Sequence, residues 1–165
     1  MYRTLVADDD FLVRSYLKTL DSWEKAGYEI VDDAEDGEEA YGFLQKEKID
    51  VLVTDLTMPV MDGIELIRKI REENRDIYII VLSCHDDFEY VKNALSLRAV
   101  NYILKPVSPE EFDKSLNEIV KRLDSQKIEF TQSEEYIETR FRGEVMPSGE
   151  TISENASAAA DTLLL

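Results

Sequence analysis

Five short apolar runs, about 25 residues apart, constrain this chain more than any other feature. They are RTLVA (3–7), YEIVDDA (28–34), VLVT (51–54), IYIIVL (77–82) and VNYIL (100–104). Each is brief and mostly β-branched or aromatic, which is the signature of strands. The third and fourth are almost wholly apolar, as strands covered on both faces must be. Between the runs, the apolar residues change to helical spacing. Val13, Tyr16, Leu17 and Leu20 keep the i, i+3, i+4, i+7 stripe, and Ala40, Phe43 and Leu44 follow EDG. Leu66, Ile67 and Ile70 mark a third helix, with Asp62 near its start. Phe88, Val91 and Leu95 mark a fourth, and Phe112, Leu116, Ile119, Val120 and Leu123 a longer fifth. SPEE opens the fifth, with Ser108 as N-cap, Pro109 at the first helical position and Glu111 closing a capping box.

Five strand–helix units in alternation specify a three-layer α/β fold, a parallel sheet with helices on both faces. Crossovers should be right-handed. Ligands of such sheets bind outside the carboxyl ends of the strands, where strand order reverses. A length of 165 residues suits one such domain, which needs only about 120 to 125 of them. The balance of 36 acidic against 19 basic residues, net −17, argues against nucleic-acid binding, which requires a basic face. No apolar run approaches the ~18 to 20 residues of a membrane span. The start of the chain lacks the basic and apolar segments of a signal peptide. A single cysteine, Cys84, excludes an internal disulfide. Together these features lead us to expect a cytoplasmic protein.

The chemistry collects at the predicted strand ends. The first run ends in Asp8, Asp9 and Asp10, the third in Asp55, the fourth in Ser83 and the fifth in Lys105. Singly, each has an ordinary explanation. Asp10 suits a helix cap, Ser83 a turn and Lys105 a solvated surface. Asp8 and Asp9 are surplus to one cap, and Asp55 is separated from the next helix by Pro59 and Asp62-Gly63. Two carboxylates ~4 Å apart repel by roughly 4 kcal/mol at an effective dielectric near 20. Such a cluster therefore needs positive charge. Lys105 supplies one unit and Mg²⁺ would supply two. Mg²⁺ favours one or two carboxylates, several waters and a phosphate oxygen. The pattern fits phosphoryl transfer to Asp55 as a carboxylate nucleophile, a reaction that depends mainly on positioning and charge neutralisation. Asp9 and Asp55 would bind the cation directly, and Asp8 directly or through water. Lys105 and Ser83 would each meet a phosphoryl oxygen.

VADDD, VTDLTMPVMDG, VLSCHDDFEY and NYILKP together make residues 2–123 resemble a response-regulator receiver domain of two-component signalling. The resemblance implies a flavodoxin-like (CheY-like) fold with sheet order 2-1-3-4-5 and five helices. It makes Asp55 the phosphoacceptor. Asp8, Asp9, Asp55 and the backbone carbonyl of Thr57 become the Mg²⁺ ligands. Ser83 and Tyr102 become switch residues, and Lys105 the phosphate-pairing lysine, with a cis Lys105-Pro106 bond. Thr57 and His85 occupy places that tune hydrolysis. Cys84 is expected to pack beside the pocket as a small hydrophobe. The implied donor is a sensor histidine kinase. The implied readout is the surface of the fourth helix, fifth strand and fifth helix, through which a homodimer is an open expectation. Such a protein is a switch that catalyses only its own phosphorylation and slow dephosphorylation.

SCHDDFEYVKNAL resembles in particular receivers attached to AraC-type DNA-binding domains. Residues 124–165 hold nine acids and three bases, too few residues and too acidic for that domain. They are expected to form a flexible extension or a short β arm, so any DNA-binding domain would be missing from this chain. Three other readings compete. A dehalogenase-type phosphatase would place its nucleophile on the first strand as D-x-D-x-T, which this chain lacks. A phosphorylation-independent scaffold would not need the complete residue set. A flavodoxin would need a phosphate loop after the first strand.

Overall fold

The runs that are apolar on both faces occupy the middle of the sheet. The computed structural model describes residues 1–73, 75–84, 92 and 96–125. Its strands are β1 (Tyr2–Ala7), β2 (Tyr28–Ala34), β3 (Val51–Asp55), β4 (Tyr78–Ser83) and β5 (Asn101–Leu104). All pairings are parallel and the order is β2-β1-β3-β4-β5. Every residue of β3 is buried, as is all of β4 except Tyr78. Edge strand β2 exposes Glu29 and Asp32, and charge on an edge discourages pairing with another chain. This is the doubly wound fold expected from the alternation, and its order reverses between β1 and β3.

Two apolar layers flank the sheet. Leu5, Leu52, Ile79 and Val81 pack against Ala40, Leu44, Leu66, Ile67 and Ile70, from α3 (Gly37–Lys46) and α4 (Gly63–Glu72). Val6, Val53, Ile80, Leu82 and Ile103 point the other way, as strand alternation requires. They meet Leu17 of α1 (Phe11–Lys18) and Phe112, Leu116 and Ile119 of a helix over 109–125. Full burial of one such aliphatic side chain stabilises by roughly 1.5 to 3 kcal/mol.

The local signals are obeyed with small departures. Asp36 and Asp62 cap α3 and α4, each accepting the N–H of the glutamate three residues on at 2.8 Å. Ser108 accepts the Glu111 N–H at 3.4 Å, and its hydroxyl also donates to Glu110 at 2.7 Å. α1 ends before Leu20, where Thr19 turns its N–H and hydroxyl onto the Tyr16 carbonyl. A short helix, α2 (Ser22–Lys25), then buries Trp23, whose indole donates to the Leu17 carbonyl at 2.7 Å. One turn is too short for periodicity to reveal. Of the predicted fourth helix, Phe88, Val91 and Leu95 lie outside the described residues, while Lys92 and Ser96 are helical. Residues 126–165, and with them most of the acidic extension, also lie outside. Among the described residues, no helix is long and apolar enough to cross a membrane.

Candidate functional site

The three aspartates after β1 separate into distinct jobs. Asp10 caps α1, accepting the Leu12 N–H at 2.8 Å. Asp8 is fully buried. Its N–H donates to Ala34 at 3.1 Å and its Oδ1 accepts the Asp10 N–H at 2.9 Å. Asp9 is exposed between them. The turn therefore directs one carboxylate inward and leaves the next at the rim.

Asp55 closes β3 and is buried. Its Oδ1 accepts the Thr57 N–H at 3.1 Å, with the exposed Thr57 hydroxyl 3.5 Å away. The loop beyond it folds back tightly. Gly63 donates to the Leu56 carbonyl at 2.9 Å, and a Cβ at Gly63 would lie 2.0 Å from the Asp55 carbonyl oxygen. A Cβ at Gly37 would likewise lie 2.5 Å from the Met61 carbonyl oxygen. Both Asp-Gly helix starts thus need glycine for close backbone approach. Within the loop, Met61 donates to Pro59 at 2.7 Å across Val60, whose φ is 63°. That is a left-handed γ-type turn with a β-branched residue at its centre.

Lys105 joins the two buried acids. Its Nζ lies 2.5 Å from Asp55 Oδ2 and 2.7 Å from Asp8 Oδ2. The second contact is an ion pair without hydrogen-bond alignment, and Asp8 Oδ2 is buried without an aligned donor among the described residues. One carboxylate oxygen from each of Asp8, Asp9 and Asp55 falls within 4.8 Å of the other two. Three negative charges thus meet one ammonium. Burial raises the Asp8 pKa, and the Asp55 charge adds to this, against the opposing pull of Lys105 and the Asp10 N–H. For Lys105, burial opposes the charge, but Asp55 and Asp8 outweigh it and raise the pKa.

The other predicted residues take separate places. Ser83 is fully buried at the end of β4, one position past Asp55's register partner Leu82, and its carbonyl accepts the Lys105 N–H at 2.8 Å. Tyr102 is half-buried on β5 and packs with the α3–α4 layer. The Lys105-Pro106 bond is cis. Cys84 is exposed, a correction to its expected packing. β4 ends at Ser83, and the chain leaves the sheet there. His85 lies outside the described residues. Arg14 went unnoticed in the sequence, yet it donates to the Asp8 carbonyl at 2.6 Å. Only its place among the polar residues of α1 could have signalled it.

Residues 4–117 match the family described as the response regulator receiver domain. The chain belongs to that family. The receiver is 34% identical over 128 residues to the transcriptional regulatory protein YesN of Bacillus subtilis, covering 78% of this chain and 35% of that protein. It is 31% identical to the transcriptional regulatory protein HptR of Staphylococcus aureus, covering 74% of this chain and 48% of that one. The chain thus spans between about a third and a half of the curated relatives it matches. Among solved structures, it resembles the receiver domain of AraT, a response regulator from Geobacillus stearothermophilus. That match has a TM-score of 0.72 and 32% identity, covering 76% of this chain and 98% of that one. A two-component transcriptional regulator AraC from Clostridium phytofermentans matches with a TM-score of 0.69 and 34% identity, covering 77% and 98%. Chain and relatives share the receiver fold of two-component systems, and the AraC-type likeness extends to solved structures.

Proposed function

We propose that this receiver is a Mg²⁺-dependent phosphoacceptor that takes a phosphoryl group from the phosphohistidine of a sensor histidine kinase onto Asp55. The observation that carries this reading is the meeting of Asp8, Asp9 and Asp55 oxygens within 4.8 Å around a single ammonium. All three donors are hard oxygens, and Asp8 Oδ2 is buried without an aligned donor among the described residues. The set fits a small divalent cation.

Asp8, Asp9, Asp55 and the Thr57 carbonyl would hold Mg²⁺, which when bound neutralises charge on the transferring phosphoryl oxygens. An Asp55 carboxylate oxygen attacks phosphorus, the P–N bond breaks, and its electron pair stays with the imidazole, which takes a proton from solvent. Lys105 is already charged and shielded from water, so it pairs with a phosphoryl oxygen without further desolvation. Ser83 offers its hydroxyl to another. Tyr102 then changes its packing, and the surface of the fourth predicted helix, β5 and the 109–125 helix reports the state. Thr57 and His85 set the rate at which water removes the group. The chain works in the cytoplasm, with residues 1–123 as the receiver and 124–165 as an acidic extension. Regulation of transcription would be the work of a DNA-binding domain, and a homodimer would form through the surface of the fourth predicted helix, β5 and the 109–125 helix.

Incubation with acetyl phosphate and Mg²⁺ tests the reading. Intact-mass measurement should show one added phosphoryl group, lost on omitting Mg²⁺ or in Asp55→Ala. An unmodified wild type, or equal modification of Asp55→Ala, would overturn it.

A further inference from the structure

The Asp8–Asp9 turn is also held from outside the pocket. Arg14 of α1 donates from Nη1 to the Asp8 carbonyl at 2.6 Å and from Nε to Asp33 Oδ2 at 2.7 Å. Its side chain is only 11% exposed. Asp33 lies on β2, opposite Val6 of β1, and pairs with Lys18 as well. Partial burial opposes the Asp33 charge, but Lys18 and Arg14 outweigh it and lower its pKa. Asp8 is therefore fixed at its N–H by Ala34, at its Oδ1 by Asp10 and at its carbonyl by Arg14. Among these contacts, Arg14's alone comes from a side chain whose removal leaves the backbone bonds in place.

We infer that Arg14, anchored by Asp33, is a positioning residue that sets the Asp8–Asp9 turn for divalent-cation binding. The inference rests on the cation-dependent reading above. A planar guanidinium meets two separated acceptors with different nitrogens held at fixed angles, whereas an ammonium has a single nitrogen to place. Charge is part of the design. An unpaired guanidinium on the Asp8 carbonyl would add positive charge beside the turn that is to hold the cation. Asp33 balances it, so α1 contributes a hydrogen bond without surplus positive charge. If the pair merely ties α1 to β2, its loss alters thermal stability and leaves cation affinity unmoved.

Mn²⁺ titration by electron paramagnetic resonance, with Mg²⁺ competition, separates the two cases in the full chain. Metal-free circular dichroism melts establish that each variant folds. Loss of an outer partner of a metal ligand costs 10- to 100-fold in affinity, so Arg14→Gln should bind about tenfold more weakly. Arg14→Lys should also weaken binding, because one nitrogen replaces the separate Nε and Nη1 that reach Asp33 and the Asp8 carbonyl, and it decides the matter if Arg14→Gln does not fold. Asp33→Asn should weaken binding too. The Arg14→Gln/Asp33→Asn double variant should lose no more than the worse single, as residues acting as one unit do. A folded Arg14 variant binding within about twofold of wild type, or losses that multiply in the double variant, would overturn the inference. A wild type that binds no cation, or Asp8→Ala binding as tightly as wild type, would instead strike the proposed function itself and the inference with it.

Discussion

Asp8 occupies a place where its charge is costly. It is fully buried, and its pKa is raised chiefly by that burial. Replacing it with Asn removes the buried charge, keeps a similar shape and leaves Lys105 its pairing with Asp55. Metal-free Asp8→Asn should therefore melt at a higher temperature than wild type at neutral pH while binding Mn²⁺ more weakly, a trade of stability against function. Val60 offers a simpler gain. Its φ of 63° disfavours a β-branched side chain, and the residue is 75% exposed, so it contributes little packing. Relief of left-handed strain is worth roughly 1 to 2 kcal/mol, less the chain entropy that glycine adds to the unfolded state. Val60→Gly should thus stabilise by about 1 kcal/mol in urea unfolding. At this scale the sequence was legible where charge had no local use. Asp8, Asp9 and Asp55 stood out because a single cap needs a single acid. Arg14 did not stand out, since a helix surface normally carries arginines and its two acceptors lie far apart in sequence, one in the turn after β1 and one on β2.

The elements meet with little slack at the end of β3. Alanine at Gly63 would put a methyl group 2.0 Å from the Asp55 carbonyl oxygen. Backbone has to move to admit it, and overpacking of this kind costs typically 1 to 3 kcal/mol. Gly63→Ala should lose about 2 kcal/mol or more in urea unfolding and slow phosphorylation by acetyl phosphate, because the displaced atom belongs to Asp55. At the opposite end of the sheet, the buried Tyr28 hydroxyl donates to the Leu116 carbonyl at 2.8 Å, joining β2 to the 109–125 helix. Burial first, then Tyr2 and Asp124, raise its pKa. The folded state therefore holds the neutral phenol, whereas the unfolded chain ionises near 10. Stability is full below that pH and falls as pH rises above it. Tyr28→Phe should lose about 1 kcal/mol at pH 7 and flatten the alkaline decline above about pH 10. Strand and helix positions were legible because their periods differ. α2 was not, because one helical turn carries no period. EDG and Asp62 marked where α3 and α4 begin, but the carbonyls that their glycines approach belong to residues distant in sequence.

Across the whole molecule, the acid excess is not spread evenly in effect. Among the described residues, Asp8, Asp9 and Asp55 converge beyond the ends of β1 and β3, so a cation that binds there should stabilise the fold by mass action. At a Mg²⁺ concentration 100 times the dissociation constant, the gain is about 2.7 kcal/mol. Calorimetry should show a higher melting temperature with Mg²⁺ than with Na⁺ at equal ionic strength, and the excess should vanish in Asp8→Ala. The alternation of five runs made the topology legible, since a parallel sheet leaves few orders open. It did not reveal which layer each helix joins, which depends on side chains facing across the sheet. One such meeting gives the molecule an optical reporter of its own. Trp23 is its single tryptophan. The indole stands edge-on to Phe112 at 4.9 Å and to Tyr28 at 6.1 Å between ring centres. Tyr28 begins β2, whereas Asp8 follows the far end of β1. Fluorescence from that indole therefore reports the packing of β2 against the 109–125 helix. Any change in its emission upon phosphoryl transfer to Asp55 would measure motion carried through the sheet to that helix.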